Sequence, residues 1–162
     1  MAFLAFLYYS SGRPGFAGLL LALSGFFDMV DGAVARATGK VSRRGAFLDS
    51  TLDRVSEVLV FLGILVGDYS PAPIVLLALS LSLLVSYTRA KGDALGVDLA
   101  GVGIGERSER LVVLIVTSLL SIVALGVLVV FVLALATFVQ RTISVSRGLA
   151  RRPIESDPGP TA

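Results

Sequence analysis

Asp28 and Asp31 close one apolar run of the chain, and Asp49 and Asp53 open the next, with a short basic turn between them. Carboxylates at membrane depth are expensive, and they persist where they bind something positive. Spacings of three and four residues put each pair on one helix face. Two such faces meeting across a hairpin form a four-carboxylate cage, a hard oxygen site suited to Mg²⁺ or Mn²⁺. Gly32 removes a side chain directly after Asp31, and Ala35 extends that small face, so a nucleotide or a backbone can approach closely. Arg36 can pair with a phosphate or with the acids themselves. Gly45 permits the bend that starts the next helix. The competing reading is a structural ion-pair network with Arg36, Arg43, Arg44 and Arg54. It is the weaker reading for the four acids taken together, because carboxylates at membrane depth normally mark a bound cation.

The elements that position these residues follow from hydropathy. Of 162 residues 55% are hydrophobic and 16% charged, and the mean hydropathy is +0.87. That is the composition of a multispanning helical membrane protein. The apolar runs are continuous rather than alternating, which argues against a β-barrel. The absence of Cys and His excludes disulfides, thiolate or imidazole zinc sites and the usual triads. No nucleic-acid motif is present, so no nucleic-acid partner is expected.

The apolar runs are 1–9, 16–34, 46–66, 73–85 and 111–139. The first is too short to span, and reads as the tail of a first transmembrane helix truncated at its N-terminus. Turns fall at 10–15 (SSGRPG) and 67–73 (GDYSPAP), and Asp68 is a turn residue. The fourth run continues through Arg89. Eleven of the fourteen cationic residues fall in three clusters: Arg36 to Arg44, Arg89 to Arg110, and Arg147 to Arg152. For all three to be cytoplasmic, the last run must cross twice, which predicts a hairpin near 124–127 with Gly126 as the break. The expected fold is all-α, a six-transmembrane-helix bundle over 1–150. Residues 151–162 form a polar tail expected to be disordered.

The pattern Asp-x2-Asp-Gly-x2-Ala-Arg-x8-Gly-x3-Asp-x3-Asp, from Asp28 to Asp53, resembles that of the CDP-alcohol phosphotransferase family of integral membrane enzymes. The resemblance implies a homodimeric transferase of phospholipid biosynthesis that passes a phosphatidyl-type group from a CDP-linked lipid to an alcohol and releases CMP. It implies Asp28, Asp31 and Asp49 as metal ligands. Asp53 would be the catalytic base, touching a second Mg²⁺ or Mn²⁺ ion. Gly32, Ala35, Arg36 and Gly45 would line the CDP-lipid site. A phosphoryl centre needs charge neutralisation, and two metals supply it while clamping the attacking and leaving oxygens.

Segments VSYTRAKG (85–92) and GERSER (105–110) resemble the family branch that makes phosphatidylinositol phosphate or archaetidylinositol phosphate. On that resemblance the acceptor is inositol 1-phosphate, its phosphate held by Ser86, Arg89, Arg110 and Arg141. From the residues alone, Arg141 after a long apolar run either snorkels to the interface or meets an anion. Arg89 and Arg110 on the same side favour the anion. Arg107, Lys91 and Arg147 read as topology charges, Arg54 and Glu57 as a structural pair, and Glu106 and Glu109 as partners that orient arginines. Within the class, glycerol 3-phosphate and a phosphatidylglycerophosphate-type product are the alternative. Outside it, the acids would serve a divalent-cation channel or transporter, although no second acidic site marks an exit path. The expected location is the cell membrane, with the site facing the cytoplasm.

Overall fold

The computed structural model describes residues 1–37 and 42–150, with the side chains of Ala35 and Arg36 also outside the description. Lys40 and the tail from Arg151 onward therefore lie outside the described residues. Six helices follow in order: α1 (Ala2–Ser10), α2 (Pro14–Ala37), α3 (Arg43–Val66), α4 (Ala72–Ala94), α5 (Arg107–Leu119) and α6 (Val123–Ala150). Their starts carry recognisable chemistry. Pro14 opens α2 where its missing N–H is no loss. Ser42 caps α3 by accepting from the Gly45 amide at 3.0 Å. The start of α3 is thus made by Ser42, and Gly45 is a residue of its first turn. Glu106 and Glu109 form a capping box at the head of α5.

The principal packing pairs close a ring in the order α1–α2–α5–α6–α4–α3. Inside it, Tyr9, Phe61, Ile64, Val75, Val127 and Val130 make the apolar core. The Tyr9 hydroxyl meets Ser118 Oγ within this core. Large apolar side chains such as Phe16, Leu19, Leu76, Leu84, Leu128 and Leu135 face outward, which suits a hydrocarbon surround. The protein is a membrane protein. Among the described residues three helices are long and apolar enough to cross a bilayer: α2, α4 and α6. α3 is as long as α2 but carries charge through its first half. The 13 residues of α5 rise only about 20 Å at ~1.5 Å per residue, short of a ~30 Å hydrocarbon core.

The expected hairpin is present, but its turn lies at 120–122, where Ser121 adopts φ +59°. Gly126 is not the break. It sits inside α6, where a Cβ would run into the Thr117 side chain of α5, so its smallness sets how closely the two helices approach. The segment 1–9 forms a short helix with Ala5 and Tyr9 buried, packed between α2 and α3. Asp68 takes a left-handed turn conformation, φ +55°.

Candidate active site

The chain alternates direction, so the C-terminal ends of α2, α4 and α6 and the N-terminal ends of α3 and α5 gather at one end of the ring. The polar residues gather there too. On α3, Asp49, Asp53 and Glu57 recur at four-residue spacing and share one face. Asp53 Oδ1 lies 2.9 Å from Arg107 of α5. Asp49 and Asp28 are close enough to Asp53 to repel its charge, while Arg107 and Arg54 attract it. Asp28, on α2, lines a small cavity with Ser24, Ser56, Glu57, Arg107 and Arg110. Asp28, Asp31 and Asp49 are exposed. None of these three acids takes part in an ion pair among the described residues.

Among the described residues no three carboxylates converge tightly enough to hold an ion. The donor chemistry nonetheless fits a hard divalent cation: the acids offer only oxygen, and three of them have no ion-pair partner among the described residues. The fourth, Asp53, already has a cation against it, the Arg107 guanidinium.

Beside Asp53 opens a cleft of about 270 Å³ lined by Arg54, Val85, Ser86, Arg89, Glu106, Arg107, Ser108, Arg110 and Arg141. It brings together all four residues expected to hold the acceptor phosphate. Arg110 is only 2% exposed. It donates to Gly105 O at 2.6 Å and to Glu57 at 3.2 Å, and its Nε is buried with no hydrogen-bond partner among the described residues. Arg141 is 3% exposed. It donates to Val102 O at 2.8 Å, to Val85 O at 3.0 Å and to Glu106 at 3.3 Å. A guanidinium has five N–H donors, so with three in use Arg141 keeps two for an anion. Ser86 donates to Ser82 O on its own helix.

The loop before α5 can lie this close because of two glycines. Gly103 has φ +121°, and a Cβ there would strike Thr137 of α6. A Cβ at Gly105 would sit 2.8–3.0 Å from Leu133, backbone included. The Gly105 amide also donates to Thr137 Oγ1 at 2.9 Å.

Arg107 and Glu57 were not expected here. Glu57 pairs with Arg110 rather than with Arg54, whose side chain turns back to Ser50 O. The spacing held a signal for both: Glu57 continues the face of Asp49 and Asp53, and Arg107 stands three residues before Arg110. Glu106 does orient an arginine, Arg141. Glu109 instead accepts from the Glu106 amide. Gly32 lies within α2 beside the acids. Ala35 and Arg36 fall where side chains are not described.

An all-helical membrane protein with carboxylates and buried arginines at one end has the parts of a phosphotransferase. The sequence model of CDP-alcohol phosphatidyltransferase matches residues 1–145, and the chain belongs to that family of transferases. This decides the class against a cation channel or transporter. The chain is 41% identical over 133 residues to an archaetidylinositol phosphate synthase of Pyrococcus horikoshii, covering 82% of this chain and 71% of the relative. It is 34% identical over 161 residues to a phosphatidylinositol phosphate synthase of Streptomyces avermitilis, covering 88% and 66%. The crystal structure of Mycobacterium tuberculosis phosphatidylinositol phosphate synthase with CDP-DAG bound superposes with a TM-score of 0.80. That pair shares 30% identity, with 89% of this chain and 80% of that one covered. The same enzyme in complex with manganese and citrate gives 0.79 at 29% identity, covering 90% and 77%.

Proposed function

We propose that the protein transfers a phosphatidyl-type group from a CDP-linked lipid to inositol 1-phosphate and releases CMP. The observation that carries this reading is the convergence of Ser86, Arg89, Arg110 and Arg141 on one cleft that also holds Asp53. Several cations around a small cleft, two of them nearly buried, suit an alcohol that brings its own phosphate. Glu57 and Glu106 answer part of this charge, and an unphosphorylated acceptor would leave the excess, Arg89 included, without an anion. The cleft is at the small end of ligand-site volumes, fitting a compact polyol phosphate rather than the nucleotide lipid. The names of the relatives point to the same acceptor over glycerol 3-phosphate, and they cover both archaeol and diacylglycerol lipids.

Asp28, Asp31, Asp49 and Asp53 would hold two divalent ions, Mg²⁺ or Mn²⁺. Bound there, the ions supply charge neutralisation at the phosphoryl oxygens. The chain's own residues do the rest. Asp53 accepts the proton of the acceptor hydroxyl as that oxygen attacks the lipid-linked phosphate. Arg89, Arg110 and Arg141 hold the acceptor's phosphate and aim the hydroxyl toward Asp53. Gly32, Ala35, Arg36 and Gly45 flank the CDP moiety, and the small residues leave room for it. Residues 1–150 act as one catalytic domain, in a homodimer, in the cell membrane. Arg43, Arg44, Arg89, Lys91 and Arg147 lie toward the same end as the site, which supports a cytoplasmic opening by the positive-inside tendency.

The test is an acceptor panel: purified protein, a CDP-lipid and Mg²⁺, with CMP release followed for inositol 1-phosphate, glycerol 3-phosphate, serine and inositol. Inositol 1-phosphate should lead, and a chelator should stop the reaction. Asp53→Asn should lower CMP release by about 10²–10⁴-fold, the usual worth of a positioned base. Equal rates with glycerol 3-phosphate would refute the acceptor, and near wild-type release from Asp53→Asn would refute the base.

A further inference from the structure

Arg107 belongs to neither half of the proposed site and touches both. As the first residue of α5, it lines the small cavity with Asp28 and Glu57. It also lines the cleft with Arg89, Arg110 and Arg141. Its guanidinium pairs with Asp53 at 2.9 Å while the side chain is 34% exposed. Arg110 and Arg141 are fixed by backbone carbonyls and nearly buried. Arg107 makes no such tie: Asp53 is its only ion-pair partner among the described residues. Asp53 itself lines the cleft, so a guanidinium released from it already borders that space.

The charges give that movement a cause. Asp53 is repelled by Asp49 and Asp28 and attracted by Arg107 and, more weakly, by Arg54, so Arg107 supplies the nearest positive charge to a set of neighbouring acids. A divalent cation supplies two, at shorter range, and competes for the same oxygen. A displaced guanidinium would remain beside a cleft that already suits an anion. We propose that Arg107 is an internal counter-ion of Asp53 which a bound divalent cation displaces, and which then turns into the cleft to bind the phosphate of the acceptor. The inference rests on the proposed role of Asp53 as a metal ligand.

Such a residue couples two sites, and the coupling is reciprocal: the cation raises the affinity for phosphate by the factor by which phosphate raises the affinity for the cation. It would favour filling the acceptor site after the metal site.

The experiment measures Mn²⁺ binding to the full chain in lipid nanodiscs without CDP-lipid. The free Mn²⁺ signal is followed by electron paramagnetic resonance, with and without saturating inositol 1-phosphate, and nanodiscs without protein correct for Mn²⁺ held by the phosphate itself. Wild type should bind Mn²⁺ about tenfold tighter with the phosphate present, within the usual range of coupling. Arg107→Gln should bind Mn²⁺ tighter than wild type when phosphate is absent, and gain less than twofold when it is added. Arg107→Lys, which keeps a competing charge, should fall between them, and it guards against a folding defect in the first variant. Wild-type Mn²⁺ affinity and full coupling in Arg107→Gln would overturn the inference. If Asp53→Asn weakens Mn²⁺ binding in that same case, Asp53 remains a ligand and only the role of Arg107 is lost. If Asp53→Asn binds Mn²⁺ as wild type does, the metal reading of Asp53 falls and this inference with it.

Discussion

Replacing Arg141 by lysine separates its two proposed duties. The arginine ties α6 to Val85 O of α4 and Val102 O of the loop before α5, and it has N–H donors left over. Its contact with Glu106 contributes least, because that carboxylate is 36% exposed and solvent screens the pair. A lysine ammonium is a point charge without the guanidinium's fork, so the two carbonyl bonds that Nε and Nη1 make in separate directions are not both kept. One hydrogen bond from a charged donor is lost, worth about 2 kcal/mol. At roughly 2–4 °C per kcal/mol for a chain of this size, the unfolding midpoint should fall by about 4–8 °C. The ammonium spent on a carbonyl has no planar fork left for phosphate. A second loss of about 2 kcal/mol in acceptor binding would raise the KM for inositol 1-phosphate roughly 30-fold. Circular dichroism melts in detergent read the first quantity, and CMP release across an acceptor titration reads the second. A lower midpoint with an unchanged KM would make Arg141 a structural tie alone. An unchanged midpoint with a raised KM would mean that the carbonyl bonds contribute nothing. No change in either refutes the reasoning outright.

Glu57→Ala should lower stability by about 3 kcal/mol, because it leaves the nearly buried Arg110 without its carboxylate. The double variant Glu57→Leu with Arg110→Met should recover part of the lost melting temperature while abolishing turnover with inositol 1-phosphate. Gly126→Ala should lower the melting midpoint through a clash worth about 1–3 kcal/mol, since the new Cβ meets the Thr117 side chain. Adding Thr117→Ala should return part of that loss, and full stability in the single variant would refute the close approach of α5 and α6.

The parts legible in the sequence were those written in local spacing. Apolar runs gave the helices, three- and four-residue intervals placed the acids on shared faces, and the clustering of cations required a second crossing in the last run. What escaped was set by contacts between distant segments. Gly126 reads as a break in an apolar run, yet it serves a helix crossing with Thr117, and the turn formed at 120–122 without Gly or Pro. Arg107 looks like any basic residue near a membrane end. Its role depends on Asp53, brought against it by the ring of helices. Glu57 lies three residues from Arg54, so a local pair was the natural reading; Arg110 is the partner because α3 and α5 face one another across the ring.

The head of α5 has a consequence for how the enzyme's acceptor preference can change. Between Gly105 and Arg110, successive residues engage Thr137, Arg141, Asp53 and Glu57. A substitution in that stretch disturbs the acids, the arginines and the start of the helix together, so selection for a new alcohol finds little freedom there. Ser86 and Arg89 face the same cleft from α4, and neither is tied to another helix by an ion pair among the described residues. Acceptor choice should diversify through α4 while the head of α5 stays fixed, and a library built to redirect this transferase should vary positions 86 and 89 first.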